Sequence, residues 1–296
     1  MASLKEVKTR IASVNSTRKI TSAMKMVASS KLHHAQQAIE SMRPYEQRLS
    51  HIMSTFVESL EGTAQTPYAT HREVKRAAIV LYTSNTSLCG GFNANAIKAF
   101  NRKVSDYRRQ GIEVSQVVAI GKKAADAVRK AGFDVTADHA LLLDHPAYAP
   151  AAQVAASLMQ QFADGQIDQV DLIYHHFKSA GSQVLQSETL LPVKLEAEGG
   201  ASSVAKSEAG QPALDFIVEP SPQQVLAELV PRSLHLKVYT ALLDSLASEH
   251  AARVIAMQVA TDNADELLRS LRLTYNKTRQ QAITAELLDI VGGSMQ

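Results

Sequence analysis

Apolar residues recur every three or four positions towards both ends of the chain. Leu4, Val7, Ile11 and Val14 form one run, and Ala38, Met42, Tyr45, Leu49, Ile52 and Phe56 form another. Towards the other end, Leu234, Val238, Leu242, Ala252, Ile255 and Val259 are followed by Leu267, Leu271, Ile283, Leu287 and Ile290. This spacing marks one face of an α-helix. Between the two N-terminal runs the stripe degrades, because Arg18 and Lys31 fall where apolar residues would be expected. Helix breakers are scarce in both flanks. No glycine precedes Gly62 and the only proline there is Pro44, while neither residue occurs between Pro231 and Gly292. Each flank therefore predicts a helix of about 50 residues or more, roughly 75–90 Å long at 1.5 Å per residue. A lone helix of that length would expose its stripe, so the two flanks are expected to wrap on each other as a long antiparallel coiled coil. A bend or local break is expected at Pro44. If the inner ends of the helices are level, Thr17–Lys25 should face about Glu266–Thr274.

The middle of the chain has a different rhythm. Ala77–Thr83, Val114–Ile120 and Val170–Phe177 read as short apolar strands, with helical stretches at about Ala94–Arg109, Lys122–Ala131 and Ala151–Ala163 between and beside them. Strands alternating with helices predict an α/β, Rossmann-like doubly wound domain with a parallel sheet. Val184–Val193 is a further candidate strand, and Asp215–Val218 a candidate edge strand before Glu219-Pro-Ser-Pro222 opens the last helix. The small, polar, glycine-rich stretch Glu196–Pro212 reads as a flexible loop. The expected division is an N-terminal coiled-coil helix over 1–60, an α/β domain over 74–195, a flexible loop over 196–214 and a C-terminal coiled-coil helix over 220–296.

Charge changes this picture in one respect. Residues 1–50 hold nine Lys and Arg against three Glu, whereas the 296-residue chain as a whole carries only +2. The N-terminal helix is therefore basic and the remainder net acidic, which points to an acidic partner for the first segment. Scarce aromatics, with no Trp, suit a chain rich in elongated helix. The single cysteine, Cys89, excludes a disulfide framework and a multi-cysteine zinc site. The N-terminus lacks the apolar run of a secretory signal and leads directly into helical sequence, so neither a signal nor a transit peptide is expected. No apolar run is long enough to span a bilayer.

Candidate chemistry is sparse. Leu88-Cys-Gly-Gly-Phe-Asn93 sits between a strand and a helix, where doubly wound folds bind phosphate. It lacks the GxGxxG spacing, and a tight turn accounts for its glycines. Gly121-Lys-Lys123 fails as a P-loop, since Gln116 stands where the first glycine belongs and Lys123 where Ser or Thr belongs. His33-His34 and His175-His176 are adjacent pairs, whose side chains diverge on a helix or a strand, and Glu249-His250 lacks the HExxH spacing. They read as exposed or core-edge histidines. No catalytic residue, cofactor site or metal site is expected.

The stretch Ile20-Thr-Ser-Ala-Met-Lys-Met-Val-Ala-Ser-Ser-Lys31 mixes methionines, small residues and cations without a carboxylate. Methionine suits a surface that adapts to a changing partner. This stretch resembles the N-terminal signature of the gamma subunit of rotary ATP synthases. Ser248-Glu-His-Ala-Ala-Arg253 and Tyr275-Asn-Lys-Thr-Arg-Gln-Gln-Ala-Ile-Thr-Ala-Glu286 match its C-terminal signature, Leu88–Asn93 its middle motif, and Glu219-Pro-Ser-Pro222 the entry to its last helix. The resemblance covers nearly the whole chain. It implies a central rotor shaft that carries no active site of its own and couples rotation of a membrane c-ring to ATP synthesis or hydrolysis at beta-subunit sites. The implied partners are an alpha and beta subunit hexamer, an epsilon subunit and the c-ring. By the same resemblance, Arg279 and Gln280 would hydrogen-bond a catch loop of one beta subunit. Met24 and Lys25 would lie where the shaft passes the acidic lever of beta. A peripheral position on the cytoplasmic side of a bacterial inner membrane follows.

One turn departs from the family pattern. Ser84-Asn-Thr-Ser87 stands where Ser-Asp-Arg-Gly is common, which removes two charges and a glycine. Two other functions fit less of the chain. A nucleotide-binding enzyme built on the middle domain would need a phosphate loop. A nucleic-acid-binding coil would need stronger basicity than a net +2.

Overall fold

A computed structural model describes residues 3–59, 66–135, 139–193, 219 and 221–293. The candidate loop at 196–214 and the candidate edge strand at 215–218 lie outside the described residues. The chain forms two compact units. One comprises Met1–Lys31, Leu88–Gly90 and His250–Gln296, and the other Leu32–Ser87 and Gly91–Glu249.

The larger unit is built on a four-stranded sheet in the order β2-β1-β3-β4, with β1 at Arg76–Tyr82, β2 at Glu113–Ile120, β3 at Gln169–Ser179 and β4 at Ser182–Leu191. The first three strands are mutually parallel, as expected of apolar strands buried on both faces. β4 departs from the parallel reading. It is the second arm of a tight hairpin with β3 and runs antiparallel, and its alternating exposure fits an edge strand with one wet face. On one side of the sheet, Ala77, Ile79 and Leu81 pack with Ala96, Phe100 and Tyr107 of α2 (Phe92–Arg109) and Ala124 and Val128 of α3 (Lys122–Lys130). On the other side, Ala78, Val80 and Tyr82 pack beneath α5 (Tyr148–Ala163) and the Leu226–Leu246 stretch of the last helix. A one-turn helix, α4 at Leu141–Asp144, precedes α5 and buries Leu142 and Leu143. The sequence pattern did not predict it, because four residues are too few to show a period.

Two long helices pass through these units: α1 at Leu4–Ser59 and α6 at Pro222–Gly293. α1 continues through Pro44 as one helix, so the local break expected there does not occur. α6 begins at Pro222 and carries Pro231 inside it. Proline is well suited to the first turn of a helix, where its missing N–H has no intrahelical partner to lose.

In the smaller unit α1 and α6 run antiparallel. Arg18 meets Asp265, Thr21 meets Thr261 and Lys25 meets Gln258. Thr17–Lys25 therefore faces about Gln258–Asp265, which is two helical turns from the predicted Glu266–Thr274. The reason is the start of α6. Level inner ends give Glu266–Thr274 when α6 is taken to start at Pro231, whereas the helix begins nine residues earlier, at Pro222. The seam of α1 steps through Val7, Ile11, Val14, Arg18, Thr21, Lys25, Ala28 and Leu32, all buried or half-buried. Lys31 is exposed and does not interrupt it. The seam of α6 in this unit steps through Met257, Thr261, Ala264, Leu268 and Leu271. This corrects the sequence-based stripe, since Ile255, Val259 and Leu267 face outwards. A threonine occupies a core position, and that disguised the period.

Candidate partner-contact surface

The smaller unit carries the four residues singled out as partner contacts. Met24 and Lys25 are half-buried. The Lys25 ammonium donates to Gln258 Oε1 at 2.5 Å, and Gln258 in turn donates to Asp262 Oδ1 at 2.8 Å. Lys25 is thus tied into its own pair of helices. The outward face at this level is apolar. Ile20 is 60% exposed, Met26 67% and Val27 59%. Met26 and Val27 belong to the methionine-bearing stretch that the sequence marked as an adaptive surface, and Ile20 lies exposed beside them. All three are off the heptad of Thr21, Lys25 and Ala28.

Arg279 and Gln280 are exposed on α6. The Gln280 backbone carbonyl accepts from Thr284 Oγ1 at 2.9 Å. Arg279 and Gln280 are not brought together with Met24 and Lys25. Lys25 is level with Gln258, and about 21 residues of helix, roughly 32 Å, separate that level from Arg279. Beyond Gln280, Ile283, Leu287, Leu288, Ile290 and Val291 are all exposed. The pairing of Thr21 with Thr261 sets Arg279 level with the start of α1 at Leu4. Past that point no residue of α1 remains to cover α6. The expected seam at Ile283, Leu287 and Ile290 is therefore an uncovered apolar surface.

The Gly121-Lys-Lys123 turn of the larger unit is taken up by packing. Gly121 has φ +103°, and a Cβ there would lie 2.7 Å from the Thr83 carbonyl oxygen and 2.9 Å from Leu143 Cδ1. The glycine is needed for that close approach. The backbone N–H of Ala124, at the start of α3, donates to Thr83 Oγ1 at 2.7 Å. In the divergent turn, Asn85 accepts from the Lys122 N–H at 3.1 Å and donates to the Ala140 carbonyl at 2.9 Å and Asp144 Oδ1 at 3.2 Å. Asn85 thus fastens the turn to α3 and α4 with a neutral side chain.

The histidines diverge as strand and helix geometry requires. His33 and His34 are exposed. His175 is buried rather than at the core edge, stacked on Phe92 with ring centroids 4.4 Å apart. Burial pushes its pKa down to about 4. His176 faces the other way and bonds Asp244 Oδ2 at 2.6 Å, which raises its pKa. In the smaller unit, burial, followed by Arg253 and Lys31, brings His250 down to about 4. Among the described residues, no group of three or more His, Cys, Asp or Glu is placed to hold a metal ion, and no helix is long and apolar enough to cross a membrane.

An antiparallel helix pair with polar residues in its seam, an uncovered apolar end, and an α/β unit whose Gly121 turn serves packing define a class: a shaft-bearing subunit of a larger assembly. Comparison with known proteins agrees. The ATP synthase family profile matches residues 3–295. The ATP synthase gamma chain of Bacteroides thetaiotaomicron is 54% identical over 299 residues, covering all of both chains, and that of Parabacteroides distasonis is 46% identical over 99% of both. A chain of the Tetrahymena thermophila mitochondrial ATP synthase central stalk and c-ring superposes with a TM-score of 0.57 at 25% identity, over 81% of this chain and 99% of that one. A chain of the Euglena gracilis mitochondrial ATP synthase rotor has a TM-score of 0.59 at 20% identity, over 95% and 98%, and shares the fold. The chain belongs to the gamma-chain family of the F-type ATP synthases. Its role is that of the central rotor shaft.

Proposed function

We propose that this shaft turns inside a hexamer of alpha and beta subunits, is seated on an epsilon subunit and a membrane c-ring, and has no catalytic site of its own. Its place is then peripheral, on the cytoplasmic side of a bacterial inner membrane. The observation that carries this reading is the uncovered end of α6, where exposed apolar residues follow exposed Arg279 and Gln280. An apolar helix end without a partner helix in its own chain calls for a surrounding sleeve. Arg279 and Gln280 are the proposed contacts to a beta-subunit catch loop, and Met24 and Lys25 mark the level at which the acidic lever passes. With Lys25 bonded to Gln258, the lever meets exposed Met26 and Val27 together with the cations around them. Exposed contacts between a cation and a carboxylate are worth about 0–1 kcal/mol, so such a contact is readily exchanged as the shaft turns. The proposed division is a coiled-coil helix over 1–60, the α/β foot over 74–195, a loop over 196–214 and a second coiled-coil helix over 220–296.

The test is reconstitution with alpha and beta subunits. Addition of the chain should restore multisite ATP hydrolysis, and Arg279→Ala should weaken coupling while changing the stability of the chain by less than about 0.5 kcal/mol. Unchanged coupling in that variant would remove the catch-loop assignment. Failure of the wild-type chain to stimulate hydrolysis would remove the whole reading.

A further inference from the structure

Three consecutive seam positions of α1 are polar: Arg18, Thr21 and Lys25. Each finds a different partner on α6. Arg18 Nη1 donates to Asp265 Oδ1 at 3.0 Å, Thr21 Oγ1 lies 2.8 Å from Thr261 Oγ1, and Lys25 Nζ donates to Gln258 Oε1. The central rung is complete. One threonine hydroxyl donates to the other, and the accepting hydroxyl donates its own hydrogen bond to a backbone carbonyl, either Arg18 O at 3.0 Å or Met257 O at 2.8 Å. The neighbouring seam residues Val7, Ala28, Ala264, Leu268 and Leu271 are apolar. Apolar seams repeat every seven residues and so tolerate a slip of one heptad. The threonine pair does not, because the two hydroxyls stand opposite each other in one register only.

We infer that Thr21 and Thr261, flanked by the Arg18–Asp265 and Lys25–Gln258 rungs, are positioning residues that fix the axial register of the two helices against slippage. The sequence supports this in both directions. Sliding α6 by seven residues one way sets Arg18 against Arg272 and Thr21 against Leu268. Sliding it the other way sets Thr21 against Val254 and Lys25 against Ala251. Each slip sets the Thr21 hydroxyl against an apolar side chain, whereas the cationic rungs discriminate less: the first slip opposes Arg18 to Arg272 but brings Lys25 to Asp265, and the second sets Arg18 against Gln258. Both hydroxyls keep a carbonyl of their own helix in any register, so what a slip loses is the bond between them, which leaves each oxygen without a donor against an apolar neighbour. For a shaft under twist, slippage is the failure that matters, so unlike rungs in mid-seam serve transmission rather than cohesion.

The test uses the full chain with Cys89→Ser and spin labels at Lys8→Cys and Asn263→Cys, two exposed positions on opposite helices of this unit. Pulsed electron–electron resonance reads their separation. One heptad of slip shifts the axial offset by about 10 Å. The wild-type background and Thr21→Ser/Thr261→Ser, which keeps both hydroxyls, should give one distance. Thr21→Val/Thr261→Val, which keeps the shape and removes the rung, should give a second population displaced by about that amount with helicity unchanged by circular dichroism. A single unshifted distance in the valine variant overturns the inference. Loss of helicity in it does so too, since the rung would then be holding the helices together rather than choosing their register. No partner subunit enters this experiment, so its outcome is independent of the hexamer and catch-loop reading.

Discussion

His175 and His176 are neighbours on β3 whose side chains lie on opposite faces, and their titrations act in opposite directions. His175 is 3% exposed and its pKa is about 4. In the unfolded chain the same imidazole takes its proton near 6.5. The folded form therefore binds the proton less readily. Stability is intact above pH 6.5 and falls as the pH drops from 6.5 towards 4. Each tenfold weakening of proton affinity is worth about 1.4 kcal/mol, so the loss from this one group reaches about 3 kcal/mol by pH 4. His176 has the opposite sign. Its bond to Asp244 raises its pKa, so its contribution is complete below pH 6.5 and is lost as the pH rises through the raised value. Arg43, Glu46, Glu188, Lys237 and Asp244 line the same cleft of about 260 Å³. Protonated His176 makes three cations there against three carboxylates. Burial raises the pKa of Glu46, so its share also declines as pH rises from about 4.5. Difference curves separate these groups. Urea unfolding from pH 4 to 9, followed by the near-ultraviolet signal of the buried tyrosines Tyr82 and Tyr174, compares wild type with His175→Phe and His176→Gln. Wild type minus His175→Phe should be flat above pH 7 and fall by about 3 kcal/mol towards pH 4. Wild type minus His176→Gln should be flat in acid and decline above pH 6.5. A His175 difference curve without pH dependence would refute the attribution of its lowered pKa to burial.

Substitutions at two further positions test the packing of the larger unit. Asp171 is fully buried and accepts from Lys103 at 2.9 Å, Gln169 at 3.0 Å, Thr189 at 2.9 Å and the Tyr107 hydroxyl. Asp171→Ala strands these donors and should reduce the unfolding free energy by about 3–5 kcal/mol in urea titrations, with Asp171→Asn intermediate. Gly121→Ala forces a side chain into a left-handed conformation against the Thr83 carbonyl and should destabilise by about 3 kcal/mol, read as a lower thermal midpoint.

Much of this architecture was legible because of what the sequence lacks. The scarcity of glycine and proline announced both long helices, and continuous apolar runs announced β1, β2 and β3 within a residue or two of their ends. Register was not legible. It depended on whether α6 starts at Pro222 or after Pro231, and proline is compatible with a first turn and, less comfortably, with an interior. The direction of β4 was hidden because a strand does not encode which way its neighbour runs. It follows from the two-residue connection at Ala180 and Gly181, which is too short for a parallel crossover.

The candidate surface was legible in type more than in position. Arg18 showed in the sequence as an intrusion into an apolar stripe. An intrusion on one strand of a seam carries no meaning until its counterpart is known, and Asp265, Thr261 and Gln258 lie about 240 residues away. Thr261 was invisible for a related reason: periodicity detects the core by apolarity, so a polar core residue shifts the apparent stripe onto its apolar neighbours Ile255 and Val259. The same substitution of polar for apolar that obscures the seam from sequence gives it a single register in the fold. A seam easily read from hydrophobicity alone would be one that slips by a heptad without loss. The seam of a shaft that must transmit twist is therefore expected to be hardest to read where it is most specific.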